Sequence, residues 1–444
     1  MLIAFSVTNW KSFKDTTTLS MVAGKETQHA DHIQYIPEYK LNVLPIAVVF
    51  GSNASGKSNL VKALDFAANF VRSTNFDPNA LIDIDYFRLD GSCASAPSIF
   101  DFKISINETL YQYQFSLLDG KVEGESLIRL KGKRAITVFE RVHGEFLKTE
   151  KSIPKESVEF LRGCLPNKLA ISNVVLRKNE GLEDLERVYE WFRFNLVVLS
   201  PNSRLIRFDD QSLPVEKLSS VMSKLDTGIS KIDFIKIPGF KDLPSEVSGF
   251  SELEIRNVEQ MLKSGSKVVW SLNVRDDFYR FAMQDGKLQA AKMVSYHKSI
   301  DGKDDIKFEI RENSDGTRRC LHLFTAFNGL VRPESVRCYV IDELDRSLHT
   351  NLVRQLLISY LATRNQDCRS QLIITNHDVL QMDQDILRRD EISIMEQKEG
   401  SSSLCNLNEY TGIRKDRVLP KLYLDGQLGG VPDLKDYGNL FDFE

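Results

Sequence analysis

Gly51-Ser52-Asn53-Ala54-Ser55-Gly56-Lys57-Ser58 fits the spacing G-x-x-x-x-G-K-[ST]. In such a loop the glycines let successive backbone N–H groups curl around an anion, the lysine reaches the outer phosphates of a nucleotide, and the serine hydroxyl ligates Mg2+. The flanks are those the loop needs. Val43 to Phe50 reads as a buried strand, and beyond Asn59 the residues Leu60, Leu64, Ala67 and Val71 recur at helical spacing. A helix that starts at the loop aims the positive end of its dipole at bound phosphates. The stretch therefore predicts a nucleotide cradle formed by residues 51 to 59, with Lys57 on phosphate and Ser58 on the metal.

The rest of the chain bounds what surrounds this cradle. With 444 residues and 42% hydrophobic content it is long enough for two or three domains and a large core. A net charge of -4 gives no bulk electrostatic reason for tight, non-specific nucleic-acid binding. The six cysteines, at 93, 164, 320, 338, 368 and 405, form no C-x-x-C pair, and several sit in apolar runs. They predict reduced, buried thiols and a cytoplasmic protein. The start, Met1-Leu2-Ile3-Ala4-Phe5, lacks a basic segment and a cleavage site. No apolar run approaches the roughly 18 to 20 residues that span a bilayer, so no membrane association is expected.

Strands are expected at Leu2 to Val7, Ser98 to Ile106 and Tyr111 to Leu118, the last two forming a hairpin about Asn107-Glu108. Helical patterns dominate from Glu156 to Cys164, Glu180 to Phe194, Val215 to Leu225 and Phe250 to Lys263. Phe194 to Leu199 and Ile232 to Ile237 are apolar enough for strands within that region. After Met293 strands and helices alternate again, with strands at Cys338 to Ile341, Gln371 to Thr375 and Glu391 to Glu396, as in a parallel sheet. The expected organisation is a head at 1–153 and 266–444, interrupted at 154–265 by a mainly helical insertion. Neither an internal repeat nor a sustained heptad run is visible.

One phosphate loop does not separate a kinase from a GTPase, a helicase or a transport-type ATPase. A second motif does. Cys338-Tyr339-Val340-Ile341-Asp342-Glu343 is an apolar strand ending in two acids. Asp342 is expected to hold Mg2+, directly or through water, and Glu343 to be the general base that activates the attacking water. A buried strand with an acidic turn is the plain alternative, which the upstream phosphate loop disfavours.

Three elements follow the same order. Asn313-Ser314-Asp315-Gly316-Thr317 precedes an apolar helix, Leu344-Asp345-Arg346-Ser347-Leu348-His349 follows the acids, and Thr375-Asn376-His377 ends the next strand. In this order the chain resembles an ABC-class ATPase: phosphate loop, signature motif, Walker B with its glutamate, D-loop and switch histidine. The resemblance implies a P-loop NTPase of ABC type, with a mixed sheet and flanking helices, that takes ATP and Mg2+. It further implies that Ser314 and the N–H groups around Gly316 face the γ-phosphate bound by a second copy. Head-to-head dimers would then close two composite sites, with His377 on the γ-phosphate and Asp345 at the seam. Taken singly, the Ser314 segment reads as a helix N-cap and His377 as a strand-end histidine.

Ser314 lies about 255 residues beyond Ser58, which argues for an inserted arm. That layout is similar to the SMC and RecF-like branch of the class, as is Asn9-Trp10-Lys11-Ser12-Phe13. The matching element in that branch lies near the nucleotide, so Lys11 and Ser12 are candidates for the base or phosphates, with a solvated loop as the alternative. No Q-loop glutamine is assigned: Gln112 and Gln114 fall on an expected strand, and Asn173 to Asn179 contains none.

A finer resemblance rests on Tyr86-Phe87-Arg88-Leu89, Glu312 to Thr317, Asp342 to His349, Leu387-Arg388-Arg389-Asp390-Glu391-Ile392 and Tyr423-Leu424-Asp425-Gly426-Gln427-Leu428-Gly429-Gly430-Val431-Pro432. Together these resemble the AAA-type ABC ATPases of bacterial anti-phage and abortive-infection loci, including OLD-like ATPases, and most closely the ATPase subunits of PARIS systems (AriA). The implied protein is an oligomeric sensor or scaffold built from head-to-head dimers. It would restrain a separate Toprim-like nuclease effector until a phage-encoded trigger protein releases it. Fewer than 70 residues follow His377, too few for an appended nuclease domain of about 100 residues. A RecF-like DNA-repair ATPase is the alternative, with Lys131-Gly132-Lys133-Arg134 and Arg388-Arg389 as phosphate contacts. A transporter ATPase has little in its favour, because no membrane-coupling element is evident.

Overall fold

The computed structural model describes residues 1–73, 77, 80–132, 134–174, 179–200, 205–208, 215–240, 250–263, 268–274, 277–410 and 417–432. Its contacts divide the chain into two compact units. The first is Met1–Val198, Leu330–Leu344 and Leu357–Glu444, and the second is Leu199–Gly329 and Asp345–Leu356.

Two large sheets and a small two-stranded one, Gln34–Ile36 with Leu41–Val43, build the first unit. A six-stranded sheet has the order Leu196–Leu199, Cys338–Ile341, Gln371–Thr375, Ile46–Phe50, Ile392–Lys398, Ser401–Asn406. Its four central strands run parallel, and Ser401–Asn406 turns back antiparallel on Ile392–Lys398. Every residue of Cys338–Ile341, Gln371–Thr375 and Ile46–Phe50 is buried, the continuous apolar reading of a strand covered on both faces. The registers Ile341↔Ile374 and Thr375↔Val49 bring the C-terminal ends of these three strands level. Ligands of open parallel sheets bind at such ends.

A seven-stranded antiparallel sheet runs Glu145–Thr149, Arg134–Val142, Lys121–Lys131, Thr109–Leu118, Ser98–Ile106, Leu2–Thr8, Thr17–Ser20. The expected hairpin is present, with Asn107 and Glu108 at φ 47° and 64°. That is the two-residue turn whose twist matches its strands. Helix Lys57–Arg72 buries Leu60, Val61, Ala63, Leu64, Ala67, Ala68 and Val71 in one core with Phe5, Phe100, Phe102, Tyr113 and Phe115 from this sheet. Trp10 joins that core, 2% exposed, its ring centroid 4.6 Å from Phe66 and 5.1 Å from Phe100.

In the second unit a sheet has the order Leu205–Phe208, Val268–Val274, Asp277–Gln284, Lys287–Lys298, Ile229–Ile237, with Asp305–Glu309 also paired to Lys287–Lys298. Its own core gathers Phe240, Phe250, Val258, Leu262, Tyr279, Phe281 and Ala290. The division expected from the sequence, with a mainly helical insertion at 154–265, therefore differs from the one the contacts make. Helices Lys155–Arg162 and Glu183–Glu190 belong to the first unit, and Leu161, Leu185, Val188 and Phe192 enter its core. The inserted unit begins near residue 199, runs past 265 and is built on an antiparallel sheet. An amphipathic helix reads the same whether it covers the head or projects from it, so periodicity does not locate this boundary.

Candidate nucleotide site

The loop predicted to cradle phosphates connects strand Ile46–Phe50 to helix Lys57–Arg72. Two glycines are dictated by close approach. A Cβ on Gly51 would lie 2.3 Å from the Met395 carbonyl oxygen, and one on Gly56 would lie 2.3 Å from Ser402 Oγ and 2.9 Å from Ser12 Oγ. Gly56 also holds φ 109° at the start of the helix, a conformation that side chains disfavour. Asn53 and Ala54 are exposed, whereas Ser55 and Lys57 are buried.

Lys57 Nζ donates to the carbonyl oxygens of Gly51 at 2.7 Å and Ser52 at 2.9 Å, and lies 3.5 Å from His377 Nδ1. Ser58 Oγ donates to Asp342 Oδ1 at 3.3 Å. Residues 284 positions apart are thus brought together because their strands share one sheet, with Gln371–Thr375 between them. Asp342 is 5% exposed.

Thr375, quoted in the sequence only as part of a strand end, is central here. Its hydroxyl donates to Asp342 Oδ1 at 2.6 Å and accepts the Glu343 N–H at 2.8 Å, and its carbonyl accepts the Leu344 N–H at 3.1 Å. One residue therefore grips three consecutive positions of the acidic turn. Glu343 stands in the left-handed region at φ 49°, which costs a residue with a side chain about 1 kcal/mol and is held by the hydrogen bonds to Thr375. Asn376, fully buried, donates its N–H to the Val49 carbonyl at 3.0 Å. His377, next in sequence, is exposed.

Among the described residues no group of three His, Cys, Asp or Glu side chains is suited to hold a metal by itself. Ser58 and Asp342 fit a different arrangement, in which Mg2+ takes one or two protein oxygens and completes its shell with phosphates and water. The convergence of Ser58 Oγ with Asp342 Oδ1 at the N-terminus of the loop helix is the observation that favours it.

The other candidates separate into two groups. Ser12 accepts from Asn59 Nδ2 at 2.8 Å, and its carbonyl accepts the Ser402 N–H at 2.7 Å, which ties it to the loop helix. Lys11 turns elsewhere: its ammonium pairs with Asp85, and its N–H bonds the Asp85 carbonyl at 2.6 Å. Ser314, Gly316 and Asp345 lie in the second unit. There Ser314 caps helix Asp315–Leu330 through the Thr317 N–H at 3.2 Å. A Cβ on Gly316 would lie 2.7 Å from the Ser347 carbonyl oxygen. The segment read as a signature thus packs directly on the one read as a D-loop. Gln112 Nε2 donates to Asp101 across the antiparallel sheet at 2.9 Å. Residues 175–178 of the segment searched for a Q-loop, and Lys133, lie outside the described residues.

One candidate nucleic-acid contact is corrected. Arg388 is 1% exposed; it pairs with Asp390 at 2.7 Å and donates to the carbonyls of Gln28 at 2.6 Å and Glu26 at 3.0 Å. It clamps the N-terminal segment and is unavailable to DNA. All six cysteines are free, and four of them are buried. Among the described residues no helix is long and apolar enough to cross a membrane.

A phosphate loop rising from the middle of a parallel sheet, with Walker-type acids at the end of the strand next but one, defines a P-loop NTPase of the ATPase type. A family profile described as "AAA domain, putative AbiEii toxin, Type IV TA system" matches residues 46–162 and 200–383, more than half of the chain, and the chain belongs to that family. No curated protein matches it significantly.

Proposed function

We propose that this chain is a Mg2+-dependent ATPase that closes head to head as a dimer and serves a bacterial anti-phage or abortive-infection system by controlling a separate nuclease. The observation that carries the ATPase reading is the junction of Lys57, Ser58, Asp342, Thr375 and His377 at the ends of adjacent strands. Lys57 leaves its two loop carbonyls to meet the outer phosphates. Ser58 and Asp342 hold Mg2+, which when bound neutralises charge on the phosphates. Glu343, turned by Thr375, accepts a proton from the attacking water, and His377 contacts the γ-phosphate.

The close approach of Gly316 to Ser347 within the second unit supports dimerisation, because in ABC-class dimers the signature faces the partner's nucleotide and the D-loop lies at the seam. The family description supports the defence setting. PARIS-type ATPase subunits remain the finer likeness, carried by the motifs from Tyr86 to Pro432 and not by the family match. Within that reading a Toprim-like nuclease is the effector and a phage protein is the trigger.

The test combines hydrolysis, mass determination and pull-down from the native host. Glu343→Gln is expected to bind ATP, to hydrolyse it at least a hundredfold more slowly, and to accumulate as a dimer in ATP. Copurification of a neighbouring gene's nuclease supports the wider role. Normal turnover in Glu343→Gln removes that residue as the base. A monomer in ATP that captures no nuclease and gives no phage protection overturns the assembly.

A further inference from the structure

The segment from Tyr423 to Pro432 has no place in the chemistry above, yet it reaches the phosphate loop. The Gly430 carbonyl accepts the N–H of Ser52, second residue of the loop, at 2.6 Å, and the Tyr423 hydroxyl donates to the same oxygen at 2.6 Å. Tyr423 is 5% exposed and belongs to the short helix Leu419–Leu424. Between the two, the chain folds through Gly429 and Gly430 at φ 66° and 67°. The turn is pinned by Tyr410, whose hydroxyl donates to the Leu428 carbonyl at 2.6 Å. The seat is tight: a Cβ on Gly430 would lie 2.5 Å from Ile394 Cγ2 and 3.2 Å from the Met395 carbonyl oxygen. That Met395 oxygen is also the atom that excludes a Cβ at Gly51. The first turn of the loop and the Gly429–Gly430 turn therefore rest on the same carbonyl.

The Ser52 peptide is held from both ends. Lys57 Nζ holds its carbonyl and that of Gly51, while Gly430 holds its N–H. Phosphate in the cradle draws the ammonium away, since a lysine in this motif serves the outer phosphates. The Gly51 carbonyl then loses its lysine donor and the Ser52 carbonyl keeps only the Ser55 N–H, at 3.3 Å, so the Gly430 contact helps to keep the entry of the loop in the shape that presents its N–H groups. A carbonyl fixed by a second donor keeps its direction, which is the task of the Tyr423 hydroxyl.

We infer that Tyr423 and Gly430 are positioning residues for nucleotide binding: together they form a strut that holds the phosphate loop open for ATP when Lys57 disengages. The inference rests on the ATPase reading and adds a determinant outside the recognised ATPase motifs.

The test uses the full chain, with MgATP affinity, steady-state hydrolysis and thermal unfolding measured side by side. Tyr423→Phe, which removes only the hydroxyl, is expected to raise Kd and KM for MgATP about threefold to tenfold, the weight of one hydrogen bond. Its kcat at saturation is expected to stay at the wild-type value, and its melting temperature to fall by no more than the loss of one buried hydrogen bond explains. Gly430→Ala is expected to lose more than about tenfold in affinity, because its Cβ has no room. Unchanged Kd in Tyr423→Phe, whatever its melting temperature, would show a merely structural contact and overturn the strut. If Gly430→Ala fails to fold, Tyr423→Phe alone decides. A wild-type chain that binds no ATP, or a Lys57→Ala variant that binds it normally, sinks the ATPase reading itself; the strut alone fails when those controls behave and Tyr423→Phe is silent.

Discussion

Thr375 Oγ1 donates to Asp342 Oδ1 at 2.6 Å, so the carboxylate expected to face Mg2+ is oriented by a hydroxyl one strand away. The same oxygen accepts the Glu343 N–H. Loss of this hydroxyl disturbs both acids at once while leaving the phosphate cradle untouched. Thr375→Val, close to isosteric, is expected to lower kcat by about tenfold to a hundredfold, corresponding to roughly 1.4 to 3 kcal/mol, and to raise the Mg2+ concentration needed for half-maximal rate. Thr375→Ser restores both. Equal rates for Val and wild type across a Mg2+ titration would dismiss the role.

Lys57 Nζ donates to two carbonyls of its own loop. Removing the ammonium deletes charge-assisted hydrogen bonds worth about 1.5 to 3 kcal/mol. Lys57→Ala is accordingly expected to weaken ATP binding at least tenfold, read by equilibrium titration. The fold should persist, which circular dichroism checks.

His322, 7% exposed in helix Asp315–Leu330, has its imidazolium form disfavoured by burial first and by the Arg319 charge second, which pushes its pKa down from 6.5 to about 3. The unfolded chain takes up this proton near the ordinary value and the folded chain does not. The neutral histidine's contribution is therefore present above pH 6.5 and is lost as pH falls toward 3. In His322→Gln the acid limb of stability is expected to flatten between these values, by up to about 1.4 kcal/mol per pH unit. Denaturant titrations from pH 7 to pH 4 measure the slope, and parallel curves for the two proteins would refute it.

Glu125 and Arg141 form a buried ion pair at 3.2 Å. Glu125 also takes the Tyr113 hydroxyl at 3.0 Å and the N–H groups of Ala170 and Ile171. Arg141→Met strands a charge in the core and is expected to cost about 3 to 5 kcal/mol of stability. Pairing it with Glu125→Gln should recover a large part of that loss in chemical denaturation. An additive double variant would mean that the two side chains act separately.

Much of this architecture was legible from local pattern. Cys338–Ile341 and Gln371–Thr375 coincide with the apolar runs that announced them, and the Asn107-Glu108 turn was marked by the break between two strand-like stretches. What escaped is what depends on distant partners. Nothing near Lys11 foretells that Asp85 will take its ammonium, and Arg388 reads as a surface charge until the carbonyls of Glu26 and Gln28 surround it. Thr375 escaped because a threonine ending a strand is ordinary by itself; its importance comes from a neighbour 33 positions away. Helix periodicity records which face is apolar but not what covers it, so it does not set the limits of the inserted unit.

The level alignment of Phe50, Ile341 and Thr375 has an evolutionary consequence. The distance between the cradle and the acids is set by ladder hydrogen bonds between neighbouring strands, not by the long run of chain that joins them. An insertion in the connecting chain between residues 199 and 329 therefore leaves the spacing of Ser58 and Asp342 to the sheet alone.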